Sequence, residues 1–380
     1  MPNVKERPMS FQADTYALRR HRTSFGGGRE REASGGCPWN RGSASASLHR
    51  AAVVPARMSR PAGWVLGVCV LAAWLLGLPA RARADAFWAH WGDGKAELAG
   101  YTLRISRYGQ MRDGSLVLIF VTEDFSESAR VKADPGKHPA SDVFPAMKLN
   151  AVRRFQTGIY EYSTMTSVFV RADGLGALPT AVAGAGKAPV LSKVSFSSQE
   201  WCGHVFHQVV PRVESGALRL LSQSHSYFDG EADDQRTLSW SPDALSEDEL
   251  PLRLRRYAGR PESLPAGTSR SVPLLSSLLR VRLGHQPLSI EAATVEHLPE
   301  RTTWVTPAGS FPARSYVVKR KSGETTTYLV EEAAPHRLLG YRTVQGGAIV
   351  EEALLRGSTR LPYWQLNHRG HEAYLKQLGL

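Results

Sequence analysis

Residues 101–121 read YTLRISRYGQMRDGSLVLIFV, and this stretch sets the expectation for the whole chain. Its first six residues alternate, and residues 115–121 are apolar and rich in β-branched side chains, both of which are typical of β-strands. Arg112-Asp113-Gly114 lies between the two runs, and Asp-Gly is a strong hairpin-turn signal. The stretch therefore predicts two antiparallel strands joined by a tight turn at 112–114.

Similar runs recur along the rest of the chain. They predict strands at 157–162, 166–170, 190–197, 201–210, 217–224, 272–282, 292–297, 302–306, 314–319, 325–331, 338–343 and 348–355. Frequent strands with few helices favour antiparallel sheet over alternating βαβ units. We expect a mainly β (α+β) fold, a curved antiparallel sheet or open barrel with few short helices. It would comprise an N-terminal β-rich half at 85–260 and a C-terminal antiparallel half at 261–380.

Two segments break the strand pattern. Residues 122–149 are polar and contain Asp134-Pro135-Gly136, which predicts a long loop. Residues 244–257 carry leucines after Ser241-Pro242-Asp243, a helix-start signal. Because Pro251 interrupts this run, we expect a short or kinked helix.

The region before the β-rich part has the three-part order of a secretory signal peptide at 58–84. Met58-Ser59-Arg60 supplies a positive start, residues 63–78 are uncharged and apolar, and small residues follow Pro79 at Ala82 and Ala84. Residues 1–57 are rich in Arg, Gly, Ser and Ala without apolar periodicity, which predicts a disordered segment or one upstream of the true start codon. We therefore expect an exported protein of the periplasm or cell envelope, beginning near residue 85.

The distribution of charge argues against a nucleic-acid partner. The chain has a formal net charge of +12, but residues 1–84 hold 13 of the 47 basic residues and only 4 of the 35 acidic ones. The remaining 34 basic and 31 acidic residues leave the expected mature chain at +3. A nearly balanced body lacks the basic footprint of a DNA- or RNA-binding protein.

The densest group of reactive side chains lies at 200–225. If residues 201–208 form a strand, Cys202 and His204 share a face and His207 points the other way. Cys202, His204, His207 and His225 are then the candidate catalytic residues, and Glu200, Cys202, His204 and His225 the candidate metal ligands. The spacing fits no established zinc or cysteine-protease motif, so we favour a buried Cys with hydrogen-bonded histidines in a sheet interior over either functional interpretation.

Other chemistry-bearing motifs are absent from the sequence. No G-x-G-x-x-G follows a predicted strand, and there is neither a P-loop nor a G-x-S-x-G nucleophile elbow. We expect no cofactor. The aromatic residues Phe87, Trp88 and Trp91 are expected to attach the start of the mature chain to its core.

Two groups of residues carry a family resemblance. Residues 120–123 (FVTE), 131–134 (VKAD), 147–150 (MKLN), 155–160 (FQTGIY) and 197–208 resemble a family of uncharacterised exported bacterial proteins, some labelled "septum formation inhibitor Maf". The S-x-S-P-R-R stretch of true Maf nucleotide pyrophosphatases is missing, so this resemblance implies export rather than nucleotide hydrolysis. Residues 306–311 (TPAGSF) and 333–337 (AAPHR) are similar to a second exported family of unknown function, which implies a lipoprotein-carrier-like open sheet.

These observations leave two functions open. The first is a non-enzymatic envelope protein whose curved sheet binds a lipid or another apolar or amphipathic ligand, with peripheral association with the envelope as a further expectation. The second is a metalloprotein or hydrolase centred on the Cys and His residues of 200–225.

Overall fold

The computed structural model describes residues 87–175 and 189–380, which belong to one compact unit, Val68–Leu380. The upstream segment and the signal peptide expected at 1–57 and 58–84 lie outside the described residues, and both stay predictions. The strands of the described ranges are Ala96–Arg107 (β1), Gln110–Ser126 (β2), Val143–Thr157 (β3), Tyr160–Arg171 (β4), Leu191–Glu200 (β5), Gly203–Glu214 (β6), Ala217–Ser226 (β7), Asp234–Ser239 (β8), Leu245–Ser246 (β9), Thr268–Leu275 (β10), Ile290–Thr306 (β11), Gly309–Arg320 (β12), Thr325–Glu331 (β13), Leu338–Gln345 (β14) and Ala348–Leu361 (β15).

In the described ranges all fifteen strands form one large open curved sheet. Its order runs from β8 back to β1, crosses to β15 and continues down to β9, so that β8 and β9 are the two edges. The crossing is an antiparallel pairing of β1 with β15, in which Tyr101 lies opposite Leu355. Among the described strands only β9 and β10 pair in parallel. The prediction of a mainly β, curved antiparallel sheet is confirmed.

The β1–β2 hairpin forms, but the prediction of its turn at 112–114 is wrong. The turn is Tyr108-Gly109, where both residues have positive φ (54° and 70°), the requirement of a tight hairpin turn. Gly114 lies within β2 opposite Leu103. A Cβ at Gly114 would lie 2.2 Å from the carbonyl oxygen of Arg154, so glycine permits close approach of β3 there rather than a turn.

The predicted loop at 122–149 is shorter in the structure. Strand β2 continues to Ser126 and β3 begins at Val143, so the loop covers only 127–142. The carboxylate of Asp142 accepts hydrogen bonds from the backbone N–H of Ser128 (2.8 Å) and the Ser128 hydroxyl (3.0 Å). The polar composition at 122–126 reflects side chains of a strand, because polar residues can line one face of a sheet.

The predicted helix begins later than expected, at Leu250–Ala258 (α1). Residues 245–246 form β9, and a 3-10 turn, Glu247–Glu249, leads into the helix. The Ser246 backbone N–H donates to the Glu249 carboxylate at 3.0 Å as part of a capping box. Pro251 lies in the first turn of α1, where a missing N–H costs no hydrogen bond, so it starts the helix instead of kinking it.

A second short helix replaces part of a predicted strand. Residues 272–282 were expected to be extended, but β10 ends at Leu275 and Leu278–Leu283 forms a helix (α2). The carboxylate of Asp248, 30 positions away in sequence, accepts the Leu278 backbone N–H at 3.0 Å and the Ser277 hydroxyl at 2.7 Å. This tertiary cap satisfies donors at the helix start, which local propensity at 278–283 does not reveal.

Both helices lie inside the curve of the sheet. α1 is buried on nearly all sides, as expected for a helix within a core, and contacts β13. α2 contacts β4 and β5 on the opposite part of the sheet. Phe87 and Trp91 are buried in the same core, which agrees with the expectation that they attach the start of the mature chain, whereas Trp88 is exposed and does not share this role.

Candidate functional site: two cavities inside the sheet

The residues predicted as a Cys and His site lie at and beside the hairpin between β5 and β6. The prediction of a strand over 201–208 is wrong at its start, because Trp201 and Cys202 form the turn and β6 begins at Gly203. Cys202 is exposed. Its backbone N–H donates to the Glu200 carboxylate at 2.8 Å.

The three candidate histidines are divided between the two faces of the sheet. His204 and His225 are exposed and share the outer face, since His225 lies opposite Phe206 in the neighbouring strand. His225 pairs with Asp233 at 3.0 Å. His207 is buried on the inner face, where its Nε2 lies 2.9 Å from the Ser222 hydroxyl.

These positions do not converge into a reaction or metal centre. Within residues 87–175 and 189–380 no group of three or more His, Cys, Asp or Glu side chains could hold a metal ion. The hydrogen bond and the charge of Glu200, with slight desolvation, raise the pKa of the Cys202 thiol, which disfavours the thiolate that a nucleophile or metal ligand needs. Burial lowers the pKa of His207 to about 4, so this histidine is neutral at neutral pH.

The hairpin of Cys202 belongs to a row of four at one end of the sheet. The turns β1–β2, β3–β4, β5–β6 and β7–β8 each expose one large side chain: Tyr108 (57 %), Ile159 (80 %), Trp201 (73 %) and Tyr227 (66 %). Ring contacts link neighbouring hairpins, with Tyr160 and Trp201 centroids 6.4 Å apart. Three of these four exposed residues are aromatic and Ile159 is aliphatic, and we call the four together the aromatic rim.

A first cavity, of about 270 Å³, lies beside the first turn of α1 and opens towards the β14–β15 turn. Its apolar wall includes Leu118, Leu149 and Val168. We call this cavity the acidic cavity, because its charged lining comprises two basic and four acidic residues. They are Arg153, Glu247, Asp248, Arg280, Glu324 and Glu351.

Most charges of the acidic cavity are paired with one another. Arg280 forms ion pairs with both Glu247 and Glu324. Arg153 donates to Glu351 at 3.0 Å and to the Tyr341 hydroxyl at 3.2 Å. Compensation of this kind makes buried charges tolerable and holds the facing strands in register.

Asp248 is the acidic group of this cavity that faces hydroxyl and amide donors instead of an arginine. Burial, with a contribution from the charge of Glu247, raises the pKa of Asp248 to about 6 despite its hydrogen bonds to Leu278 and Ser277. Its position at the start of α2 gives it a structural task. A proton on Asp248 near pH 6 changes the charge of the cavity.

The second cavity, of about 320 Å³, lies beside the last turn of α1. Phe87, Trp91 and Phe120 form an aromatic wall, and Met147 and Leu252 extend it. The cavity is also lined by three arginines, Arg255, Arg256 and Arg260, and we call it the arginine cavity.

Only the first of these arginines is compensated by a carboxylate in an observed ion pair. Arg255 donates two hydrogen bonds to Glu97, at 2.8 and 2.9 Å, and packs on the ring of Phe120 at 4.4 Å. Burial alone would raise the pKa of Glu97, but Arg255 and His90 outweigh burial and lower it to about 2. This pair is fixed, because removing either partner would leave a buried charge.

Arg256 and Arg260 are placed differently. Both are half-buried, and the Nε atom of each is buried without a hydrogen-bond partner among the described residues. Burial and the neighbouring Arg260 lower the pKa of Arg256 to about 10, with the exposed Glu262 opposing them. The guanidinium of Arg256 lies 4.4 Å from the ring centre of Phe87. The cavity thus presents two cations beside an aromatic wall.

Sequence reasoning missed both cavities. The stretch 250–260, LPLRLRRYAGR, places three arginines in a helix that is otherwise apolar and a fourth, Arg260, just after it. Arginines within a helix expected to lie in the core are an unusual combination, since charged side chains are seldom buried unpaired. Arginines in an apolar helix were therefore the sequence feature that could have indicated a charged cavity.

The chain matches no protein-family description, and no curated protein matches its sequence. Among solved structures it is similar to a beta-barrel-like protein of the domain of unknown function DUF1849 from Brucella abortus, at 10 % identity and a TM-score of 0.41, covering 70 % of this chain and 98 % of that one. In the described part of the chain, no helix has the length and apolarity to cross a membrane.

Proposed function

We propose that this protein is a non-enzymatic binding protein that holds an amphipathic ligand inside its curved sheet. The observation that carries the proposal is the arginine cavity, because it combines aromatic walls with a few convergent polar groups. Ligand pockets in proteins have this composition. The dispersed positions of Cys202, His204, His207 and His225 give no support to the rival metalloprotein or hydrolase.

The volumes constrain the ligand. The range for small-molecule pockets is roughly 300–1,000 Å³. The arginine cavity, at about 320 Å³, lies at its lower end, and the acidic cavity, at about 270 Å³, lies just below it. A single-chain amphiphile suits such a cavity better than a diacyl lipid, unless the second chain stays outside. We infer that one acyl-like chain or a compact ring system occupies the site.

Binding is tested with the purified mature chain, residues 85–380. A neutral apolar fluorophore, N-phenyl-1-naphthylamine, should bind saturably, and solvent extraction followed by mass spectrometry should recover a co-purifying amphiphile. The absence of both would contradict the proposal. Met147→Trp should weaken fluorophore binding, because the larger side chain fills the arginine cavity.

A matched control separates cavity filling from general damage. Met165 lies on the outer face of β4 and is exposed, so Met165→Trp makes the same chemical change outside the cavity. Binding by Met165→Trp should equal that of the unchanged protein. Equal loss in both variants would place the fluorophore elsewhere.

Export is part of the proposed function and rests on the signal-peptide pattern at 58–84. The native protein should begin near residue 85 when it is isolated from the envelope or periplasmic fraction. Edman sequencing of that fraction provides the check. An exported protein that retains residues of 1–57 would refute the predicted cleavage.

A second proposed property is peripheral contact of the aromatic rim with a membrane surface. Trp and Tyr favour the membrane–water interface, and the four hairpins of the rim lie side by side. The mature chain should float with phospholipid vesicles, and a Trp201→Ala, Tyr227→Ala variant should float at least threefold less. Val305→Ala, an exposed position at the opposite end of the sheet, is the control and should not change flotation.

A further inference from the structure

We propose that the arginine cavity recognises the anionic end of its ligand, a carboxylate or phosphate, through Arg256 and Arg260. This inference rests on the proposed function, since it names the polar group of the amphiphile. Its basis is the position of two guanidinium groups beside one aromatic wall in a cavity of about 320 Å³.

The neighbouring Arg255 shows what a compensated arginine looks like in this core. Its guanidinium meets both oxygens of Glu97 and also donates to the carbonyl oxygens of Pro335 and His336. Its charge and four of its five N–H donors are therefore used within the fold. Arg255 is a structural residue and is not available to a ligand.

Arg256 and Arg260 lack equivalent acceptors. Their Nε–H groups are buried and unpaired within the described residues, and buried donors without an acceptor are costly. The two like charges also repel each other, and this repulsion together with burial accounts for the lowered pKa of Arg256. One anion between them would supply acceptors and remove the repulsion.

Two local interactions explain part of this arrangement. Arg256 stacks on Phe87, and cations are favoured at the last turn of a helix such as α1. Neither gives an oxygen acceptor to the buried Nε–H groups. A planar carboxylate or a phosphate matches the donor fork of arginine.

The aromatic wall indicates that the other end of the ligand is apolar. Phe87, Trp91 and Phe120 face the same cavity as the arginines. A free inorganic anion would leave these rings without a partner, whereas an amphiphile covers them. The class of ligand is thus a single-chain amphiphile with a carboxylate or phosphate head.

Five probes test the inference by calorimetric titration: decanoate, decyl phosphate, decanol, decyltrimethylammonium and inorganic phosphate. Decanoate and decyl phosphate should bind at least tenfold more tightly than decanol, and decyltrimethylammonium should be weakest. Inorganic phosphate alone should bind at least tenfold more weakly than decyl phosphate. Equal affinity for the two phosphates would overturn the amphiphile assignment.

Substitutions assign the effect to the two arginines. Arg256→Gln with Arg260→Gln should reduce the affinity for decyl phosphate to that for decanol, with unchanged binding of N-phenyl-1-naphthylamine. Arg256→Lys with Arg260→Lys keeps the charges and should retain part of the preference, which guards against a folding defect in the glutamine variant. Arg301→Gln, an exposed arginine outside the cavity, is the matched control.

The two levels of the hypothesis fail separately. If the fluorophore binds but anionic and neutral amphiphiles bind equally, the assignment of Arg256 and Arg260 is wrong and the proposed function stands. If neither the fluorophore nor any amphiphile binds, the proposed function itself is wrong.

Discussion

The two cavities at the ends of α1 have similar volumes but differ in how far the arginines that line them are paired with carboxylates. In the acidic cavity the arginines are paired with carboxylates, Arg153 with Glu351 and Arg280 with Glu247 and Glu324. In the arginine cavity the buried Glu97 neutralises Arg255, while the carboxylate acting on Arg256 is the exposed Glu262, and the Nε atoms of Arg256 and Arg260 have no hydrogen-bond partner among the described residues. Paired charges hold a fold together, whereas uncompensated cations beside aromatic rings are available to a ligand.

The largest expected effect comes from breaking the one compensated pair of the arginine cavity. Glu97→Gln removes the carboxylate that accepts two of the hydrogen bonds donated by buried Arg255. The free energy of unfolding should fall by about 3–5 kcal/mol, because a buried charge is left without its counter-ion. Urea unfolding monitored by circular dichroism provides the measurement. A loss below about 1 kcal/mol would show that water already reaches Arg255.

Enlarging each cavity in turn compares their apolar walls. Leu118 lines the acidic cavity, Leu252 lines the arginine cavity, and both are buried. Each change to alanine should lower the free energy of unfolding by about 2–5 kcal/mol. Decyl phosphate should raise the Tm of the unchanged protein and that of Leu118→Ala by the same amount. The rise in the Tm of Leu252→Ala should be different. Identical shifts for both variants would contradict binding in the arginine cavity.

A smaller effect is expected from the titration of Asp248 in the acidic cavity. Its folded-state pKa of about 6 lies above the ordinary value of 3.8, so the folded protein holds the proton more tightly than the unfolded chain. The resulting stabilisation is complete below about pH 4 and is lost as the pH rises through 6, by at most about 3 kcal/mol.

The measurement compares the free energy of unfolding from pH 4 to pH 8 in the unchanged protein and in Asp248→Asn. Asparagine does not titrate, so the difference between the two curves isolates Asp248. The unchanged protein should lose stability relative to the variant between pH 4 and pH 7. Parallel curves would mean that the carboxylate is solvated.

The smallest effect is expected on the outside of the sheet. Arg301 pairs with Glu332 at 2.8 Å but is largely exposed, and surface ion pairs contribute little. Arg301→Gln should change the free energy of unfolding by less than about 0.5 kcal/mol. Binding of decyl phosphate should be unaffected. A large change in binding would indicate long-range electrostatics in place of contact recognition by Arg256 and Arg260.

How far the sequence predicts this molecule depends on whether the signal is local. Alternation at 101–106 and the apolar run at 115–121 are local patterns, and both gave strands. The turn was misplaced because Asp113-Gly114 has turn propensity, while Gly114 is needed where β3 approaches closely. Residues 278–283 form a helix because Asp248, distant in sequence, caps its first turn.

The candidate site shows the same division. Cys202, His204, His207 and His225 are neighbours in sequence, and that proximity suggested a shared centre. Because side chains alternate along a strand, His207 lies on the inner face of the sheet and His204 on the outer face. Cys202 lies in the turn at 201–202, outside the strand that carries both histidines. The arginines of α1 were visible in the sequence, but their missing partners were not, because pairing with Glu97 spans 158 positions.

The sequence by itself determined the antiparallel β class and the balanced charge of residues 85–380, because strand periodicity and composition are properties of short windows. Only the tertiary structure decided that β1 and β15, from opposite ends of the described sequence, pair with each other, and that α1 and α2 pack against distant strands of the sheet. The same long-range packing decided which arginine meets a carboxylate and which two do not. Contacts between residues far apart in sequence depend on the whole fold, and the arginine cavity is lined by residues that only such contacts bring together.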